Sequence, residues 1–215
     1  GNGAAAGDGG TSSINFDVLK SLSFSVTANG GTGTTMAGGN AGSVSFSPFS
    51  PAPLLVGNLT FTLQGGDATT GTAGQGGNAF LNLNGGRFVG SLNLLGNGGA
   101  ASAGTGNGGN GGSVNVMFGT YEGSVVAQCS GGSSVGGTGG SGTAVTFSPF
   151  PSNAGTSRFT RFEVTARGGN SDTANAGNGA FFNWNSPLDI DLNGTIDLSG
   201  GQGSVVGGNG MGGIG

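Results

Sequence analysis

The residues best suited to bind a metal lie in the string DIDLNG, from Asp189 to Gly194. Oxygen ligands in the pattern D-x-D-x-N-G open the calcium loop of an EF-hand. The bidentate glutamate that closes such a loop is missing, because Gly200 stands at its position. Apolar residues between the acids also continue a strand-like alternation. The pattern therefore favours a solvated strand face, with a weak calcium site at Asp189, Asp191 and Asn193 as the alternative and no other cofactor.

Two asparagines could accept an N-linked sugar. Asn58 opens the sequon Asn-Leu-Thr, and Asn193 opens the sequon Asn-Gly-Thr. The N-x-Ser/Thr signal places a glycan on a surface loop of a secreted protein. Two sequons are expected by chance in a chain this rich in asparagine and threonine, so Asn58 and Asn193 are glycosylation candidates only.

Residue types argue against catalysis. The chain has no histidine, so its many serines and threonines cannot form a Ser-His-Asp triad. Glycine-rich strings lack the Lys-Ser/Thr and the helix that complete a phosphate loop. Cys129 and Trp184 both fall in apolar phases and are predicted to be core residues, although Trp184 and Tyr121 could also stack on a sugar. We predict that the protein is not an enzyme.

Composition and charge exclude further classes. Glycine supplies 54 of the 215 residues, and charged residues make up only 7%. Five basic and nine acidic residues give a net charge of −4, which cannot neutralise a nucleic-acid backbone. The aliphatic run Leu54–Val56 is far too short to span a membrane. Arg161 and Glu163 share one phase and predict a surface ion pair. The N-terminal GNGAAAGDGG suggests a processed protein or an excised fragment.

A repeat of about 34 residues organises the chain. Gly-Gly pairs mark it, and the steps between them are 35, 33, 33, 37 and 32 residues. The pairs are Gly30-Gly31, Gly65-Gly66, Gly98-Gly99, Gly131-Gly132, Gly168-Gly169 and Gly200-Gly201. About six such units form a single domain over residues 1–215, with half a unit at each end.

An alternating segment precedes every pair, and a second one follows every pair except the last, Gly200-Gly201. Apolar residues stand six, four and two positions before it, as Leu59, Phe61 and Leu63 do, while residues such as Thr60 and Thr62 are polar. This period-2 pattern predicts leading strands with one buried face. After a glycine-rich loop of roughly a dozen residues comes a trailing strand. The apolar residues of the trailing strands are Val44 and Phe46; Ala79, Leu81 and Leu83; Val114, Val116 and Phe118; Val145 and Phe147; and Ala180, Phe182 and Trp184. No segment has helical periodicity.

Two all-β topologies fit this pattern. In a parallel β-solenoid each unit is one coil, and leading strands stack on leading strands. In an antiparallel meander or sandwich each unit is a hairpin. The in-register apolar columns favour the solenoid, which buries a continuous core between units. Recurrent glycine favours loops that stack as extended, polyproline-II-like chains packed backbone to backbone. The alternative is a set of independently flexible surface loops.

The strings LTFTLQGG…GQGGNAFLNL and SLNLLGNGG…GNGGSVNVMF resemble the glycine-rich repeats of bacterial and archaeal cell-surface β-solenoid proteins. They are also similar to repeats in some phage tail-fibre adhesins. The resemblance covers nearly the whole chain. It implies an extracellular structural or adhesive role and transfers no catalytic residue.

The sequence thus predicts a secreted structural subunit that builds an extracellular filament or surface layer. Its expected partner is a second copy of itself, with Gly1 to Val18 of one subunit packed end to end on Ile196 to Gly215 of the next. The alternative is an adhesin that binds a cell-surface glycan or receptor. Ice binding is disfavoured, because the outward pair Thr60 and Thr62 does not recur in the other repeats.

Overall fold

The computed structural model describes residues 6–20, 23–49, 54–83, 85–149, 155–185, 190–204 and 208–212. Every regular element within these ranges is a β-strand. The strands are β1 (Ser12–Phe16), β2 (Val18–Lys20), β3 (Phe24–Thr27), β4 (Val44–Pro48), β5 (Leu54–Thr62), β6 (Ala79–Asn82), β7 (Arg87–Leu95), β8 (Val114–Phe118), β9 (Thr120–Gln128), β10 (Val145–Pro149), β11 (Ser157–Thr165), β12 (Phe182–Trp184) and β13 (Ile190–Asp197).

The strands form two parallel sheets. The trailing strands make one sheet in the order β1-β4-β6-β8-β10-β12. The leading strands make the other in the order β13-β11-β9-β7-β5, and β2 and β3 both pair with β5 beyond it. The chain is a β-solenoid of about five turns with strands about 33 residues apart. The predicted solenoid is confirmed, and the antiparallel alternative is wrong because every strand pair is parallel.

The register of the leading strands reproduces the apolar columns seen in the sequence. One column runs through Val26, Phe61, Leu94, Ala127, Val164 and Ile196. A slip of one residue would bring polar neighbours such as Thr62 and Thr165 into the core. The alternation therefore fixes both the buried face of each strand and its pairing with the next coil.

The core lies between the two sheets. Phe46 on β4 and Phe61 on β5 are fully buried, and their ring centroids are 5.9 Å apart. Three coils further along the stack, Phe147 and Phe162 repeat this contact at 5.1 Å. Each coil adds apolar side chains from both sheets, so neighbouring coils bury one another in a continuous core.

The leading strands are longer than the alternation predicts. Strands β5, β7 and β9 continue on the N-terminal side of Gly57, Gly90 and Gly123, which have φ values of 136°, 144° and 142°. These glycines are register partners. A Cβ on Gly90 or Gly123 would lie 1.9 or 1.8 Å from the carbonyl oxygen of the glycine below. Both the positive φ and the close backbone approach therefore require glycine.

The glycine-rich loops form a second ordered layer. Each has a first limb that leaves the leading strand, such as residues 96–101, and a second limb that returns to the trailing strand, such as residues 107–113. Along the second limb every third N–H donates to the next coil, as those of Gly108, Gly111 and Val114 do. Three residues per turn is the period of polyproline II. The predicted stacking of the loops is confirmed.

Glycines of the two limbs face each other in a hydrogen-bonded ladder. The Gly99 N–H donates to the Gly74 carbonyl at 2.9 Å, and the Gly109 N–H donates to the Gly99 carbonyl at 2.9 Å. This zigzag continues from Gly7 to Gly210 with bonds of 2.7–3.0 Å. A Cβ on the first glycine of each Gly-Gly pair would lie 1.8–2.1 Å from a carbonyl oxygen of the facing limb. Only glycine permits this approach.

Asparagine side chains link neighbouring coils on the outside of this layer. The Asn110 side-chain oxygen accepts the backbone N–H of Ser141 at 2.8 Å, and the Asn97 oxygen accepts that of Ser130 at 2.9 Å. The same contact recurs at Asn29, Asn40, Asn78, Asn107, Asn170, Asn175 and Asn178. These N–H groups take no part in the backbone ladders, so the amide oxygens satisfy donors that would otherwise need water.

Candidate assembly interface

The predicted calcium ligands are only partly visible. Asp189 lies outside the described residues, whereas Asp191 and Asn193 are exposed on β13. The Asp191 carboxylate accepts a hydrogen bond from the Arg158 guanidinium at 3.1 Å, so a cation from the neighbouring coil already offsets its charge. No group of three metal-ligating side chains occurs within the described ranges. Calcium binding at this string stays a prediction.

Both sequon asparagines are exposed, as a glycan would require. Asn58 lies on β5 and its side-chain oxygen accepts a hydrogen bond from the Ser91 hydroxyl at 2.6 Å. Asn193 lies on β13, the last strand of its sheet. Glycosylation of either residue stays a prediction.

The cysteine and the large aromatics belong to the core. Cys129 is fully buried, and burial raises the pKa of its thiol to about 12. Tyr121 is buried too, donates its hydroxyl to the Ser124 carbonyl at 2.8 Å, and stacks on Phe159 at 4.7 Å. Burial raises the pKa of Tyr121 well above its usual value. Tyr121 is therefore not available to stack on a sugar.

Ion pairs line the outer face of the leading-strand sheet. The predicted pair between Arg161 and Glu163 is present at 2.6 Å within one strand. Among the described residues, further pairs join adjacent coils, namely Arg87–Glu122, Arg158–Asp191 and Arg167–Asp197. Hydrogen bonds from Arg167 and Ser199 lower the pKa of Asp197 to about 2. Water screens these exposed pairs, so they contribute little to stability, and they leave little unpaired charge among the described residues of this face.

The C-terminal end of the stack exposes residues that the same columns bury elsewhere. Phe61 is 0% exposed in the middle of its column, whereas Ile196 at the end of that column is 44% exposed. Leu192, the register partner of buried Phe159, is 47% exposed. Within the described residues no trailing strand lies over β13. The end of the core is therefore an open apolar face.

A pocket lies in this face. Its volume is about 240 Å³, and it is lined by Phe162, Phe182, Trp184, Ile190, Leu192 and Ile196. The pocket lies here because the register partner of Phe162 is Gly194. At this position of the column the preceding coils carry a large apolar side chain, and Gly194 carries none. A Cβ on Gly194 would lie 1.8 Å from the Phe162 carbonyl oxygen, so the strand backbone itself requires glycine here. The buried indole N–H of Trp184 has no acceptor in the described part of the chain.

The N-terminal end presents the matching half of the repeat. Strand β1 is a trailing strand, and no leading strand precedes it among the described residues. Its Ile14 is half-buried, as are Phe24 and Val26 on β3, although all three belong to core columns. Val18 is 63% exposed. This end therefore offers apolar side chains and free strand edges from both sheets.

Sequence reasoning located the columns but missed the end pocket and the glycine column of the leading strands. The second was readable, since Gly57, Gly90 and Gly123 recur at a spacing of 33 residues. The pocket had a weaker signal, namely a glycine in a column of large apolar residues. Its meaning depends on Gly194 standing in the last strand of the stack.

Within the described ranges, no helix is both long and apolar enough to cross a membrane. No protein-family model matches the chain, and no curated protein or solved structure is significantly similar to it.

Proposed function

We propose that the protein is a structural subunit that builds an extracellular filament or surface layer by head-to-tail stacking of its solenoid. The observation that supports this proposal is the open apolar face at β13, where no further coil packs on the core columns within the described residues. The N-terminal end supplies strands of the missing type, in the same phase. A second copy of the chain is therefore the partner.

The register defines how the two ends would meet. Continuing the trailing-strand sheet sets β1 of the second copy beside β12, with its Ile14 opposite Trp184. Continuing the leading-strand sheet sets β3 beside β13, with Val26 opposite Ile196. Both placements repeat the pairings already made inside one chain. They extend the core, complete the backbone ladders and remove the open edges.

The end pocket fits this arrangement. In the leading-strand column, Phe24 of the second copy falls opposite Gly194. Its ring enters the space above that glycine, beside Phe162 of the first copy. Within its own chain Phe24 packs against Phe46 of the following coil, at 5.9 Å between ring centroids. The Phe24 ring would fill the volume that Gly194 leaves empty in this column.

The contact is heterologous, since different surfaces of the two copies meet. Such a contact propagates as a filament unless the rotation between subunits closes a ring. The low charge of the chain favours close packing of subunits, and we expect the hydrogen-bonded glycine layer to open rarely, which would slow proteolysis of the loops. The extracellular location rests on the resemblance to cell-surface solenoids.

Substitution of Ile196 tests the proposal. The purified chain should form filaments in negative-stain electron micrographs. Ile196→Asp should abolish them, because the carboxylate would be buried without a partner in the contact, while the monomer stays folded. Thr195→Asp is the matched control, since Thr195 is exposed on the polar face of the same strand. If the wild-type chain stays monomeric at high concentration, or Ile196→Asp assembles like Thr195→Asp, the proposal is wrong.

An adhesin is the second candidate. It is favoured by exposed apolar side chains at the turns between the limbs, where Met36 is 57% exposed and Val135 is 40% exposed. Such residues at loop tips suit contact with a receptor. The same micrographs separate the candidates, because an adhesin module would give discrete particles.

A further inference from the structure

The two ends of the described chain contain the same piece of the repeat. At the C-terminal end the Gly210 N–H donates to the Gly201 carbonyl at 3.0 Å, as the Gly177 N–H does to the Gly169 carbonyl one coil earlier. Residues 208–212 are therefore a second limb. At the N-terminal end, the Gly7 carbonyl accepts the Gly31 N–H, which belongs to the first limb that follows, at 3.0 Å. That makes residues 6–11 a second limb as well.

The duplication has a steric consequence for stacking. When β1 of a second copy lies beside β12, the limb that leads into β1 arrives beside residues 175–180. Those residues already bind residues 208–212 of their own chain: the Gly179 N–H donates to the Met211 carbonyl at 2.7 Å. In the repeat, Gly7 is equivalent to Gly210 and Asp8 to Met211. The two limbs compete for one place.

We propose that assembly proceeds by exchange of these limbs: residues 6–11 of the incoming copy displace residues 208–212 and take over their hydrogen bonds. This inference rests on the head-to-tail contact proposed above. The Asp8 backbone carbonyl can replace that of Met211 as the acceptor for the Gly179 N–H. The Asp8 backbone N–H can likewise donate to the Asn178 side-chain oxygen, which now accepts the Met211 N–H at 3.0 Å. Gly7 can replace Gly210 in the glycine ladder.

The direction of the exchange follows from what each limb leads to. Residues 6–11 run directly into β1, whose Phe16 is buried on its own chain and whose Ile14 faces the open core. Within the described residues, nothing that follows residue 208 enters either sheet. The limb of residues 208–212 is also poorly packed, since Met211 is 71% exposed. Exchange keeps the number of limb hydrogen bonds nearly constant and adds the burial of two sheet ends.

A reversible disulfide that holds residues 208–212 in place tests the exchange. Asn178 and Met211 are equivalent residues of adjacent coils, which lie about 4.8 Å apart, within the Cα range of a disulfide. The double variant Asn178→Cys/Met211→Cys should therefore form an intrachain disulfide. We expect the oxidised variant to form filaments at least tenfold more slowly than wild type by light scattering. Reduction should restore the wild-type rate.

The control places an equivalent disulfide between two interior coils of the stack. Gln75→Cys/Asn110→Cys joins the equivalent residues of two interior coils and should assemble equally well oxidised and reduced. If oxidised Asn178→Cys/Met211→Cys assembles as fast as its reduced form, limb exchange is wrong while head-to-tail stacking stands. If wild type and both reduced variants fail to assemble, the stacking proposal falls and the exchange falls with it.

A cross-link between subunits gives an independent reading. In exchanged filaments Asp8 of one copy lies beside Asn178 of the next. Asp8→Cys/Asn178→Cys filaments should yield a ladder of disulfide-linked oligomers on a non-reducing gel, and buried Cys129 should not interfere. Filaments that yield only monomers on that gel would overturn the exchange.

Discussion

Replacing Gly109 by alanine perturbs the glycine ladder at one atom. The Gly109 N–H donates to the Gly99 carbonyl at 2.9 Å, and the Gly109 carbonyl accepts the Gly132 N–H at 2.8 Å. An added Cβ would lie 1.9 Å from the Gly74 carbonyl oxygen, whereas ordinary contacts begin near 3.4 Å. All its near neighbours are backbone atoms, so no side chain can rotate away. The limb itself must move.

The size of the effect follows from that movement. A shift of about 1.5 Å away from Gly74 lengthens the hydrogen bond to Gly99 and moves the Gly109 carbonyl out of line with the Gly132 N–H. Each lost bond costs about 1 kcal/mol net, and a buried group left unpaired costs about 1–3 kcal/mol. We expect Gly109→Ala to lower the free energy of unfolding by about 2–6 kcal/mol. At about 2–4 °C per kcal/mol for a domain of this size, the melting temperature should fall by roughly 4–24 °C.

Gly96→Ala is the matched control in the same coil. Gly96 is also buried, but its column holds Ala28, Leu63 and Ala166 in other coils, and its added Cβ would meet nothing nearer than 3.1 Å. Its effect should stay within about 1 kcal/mol, because the lost chain entropy of the unfolded state offsets a small local shift. Thermal unfolding followed by circular dichroism measures both variants. Equal melting temperatures for Gly109→Ala and Gly96→Ala would refute the packed glycine layer.

Two further outcomes test the core. Phe61→Asp should destabilise the protein by more than about 4 kcal/mol, since it places an unpaired carboxylate in a fully buried column. Thr62→Asp, on the outer face of the same strand, should cost under about 1 kcal/mol. Similar unfolding midpoints of the two variants in urea would contradict the assigned phase. Cys129 should resist a thiol reagent at pH 8 while the protein is folded, because its thiol is buried and has a pKa of about 12; rapid labelling without denaturant would show that the column is open.

Local pattern was enough to predict most of the fold. Apolar residues at alternate positions assigned the buried face of each leading and trailing strand, and their recurrence every 34 residues or so aligned the columns. These features could be read because side-chain direction in a strand has a period of two, which the sequence displays directly. The Gly-Gly pairs likewise marked where the chain leaves each leading strand.

The hydrogen-bond partners were decided only by the tertiary structure. Gly99 bonds to Gly74 and Gly109, and nothing in the glycine-rich strings distinguishes these partners from their neighbours. The asparagines looked like polar loop residues, yet Asn110 and Asn97 accept backbone N–H groups from the next coil. The two asparagine contacts join residues 33 and 31 positions apart, so they exist only once the coils are stacked.

The candidate interface shows the same division. The sequence predicted leftover halves of a repeat at the two ends, because unit boundaries can be counted along the chain. It did not predict that Ile196 and Leu192 are half-exposed, that a pocket opens over Gly194, or that residues 6–11 and 208–212 are equivalent limbs. Burial depends on what lies above and below a residue in the stack. The alternating pattern assigns Phe61 and Ile196 to the same column, but only the stacked structure makes one of them core and the other surface.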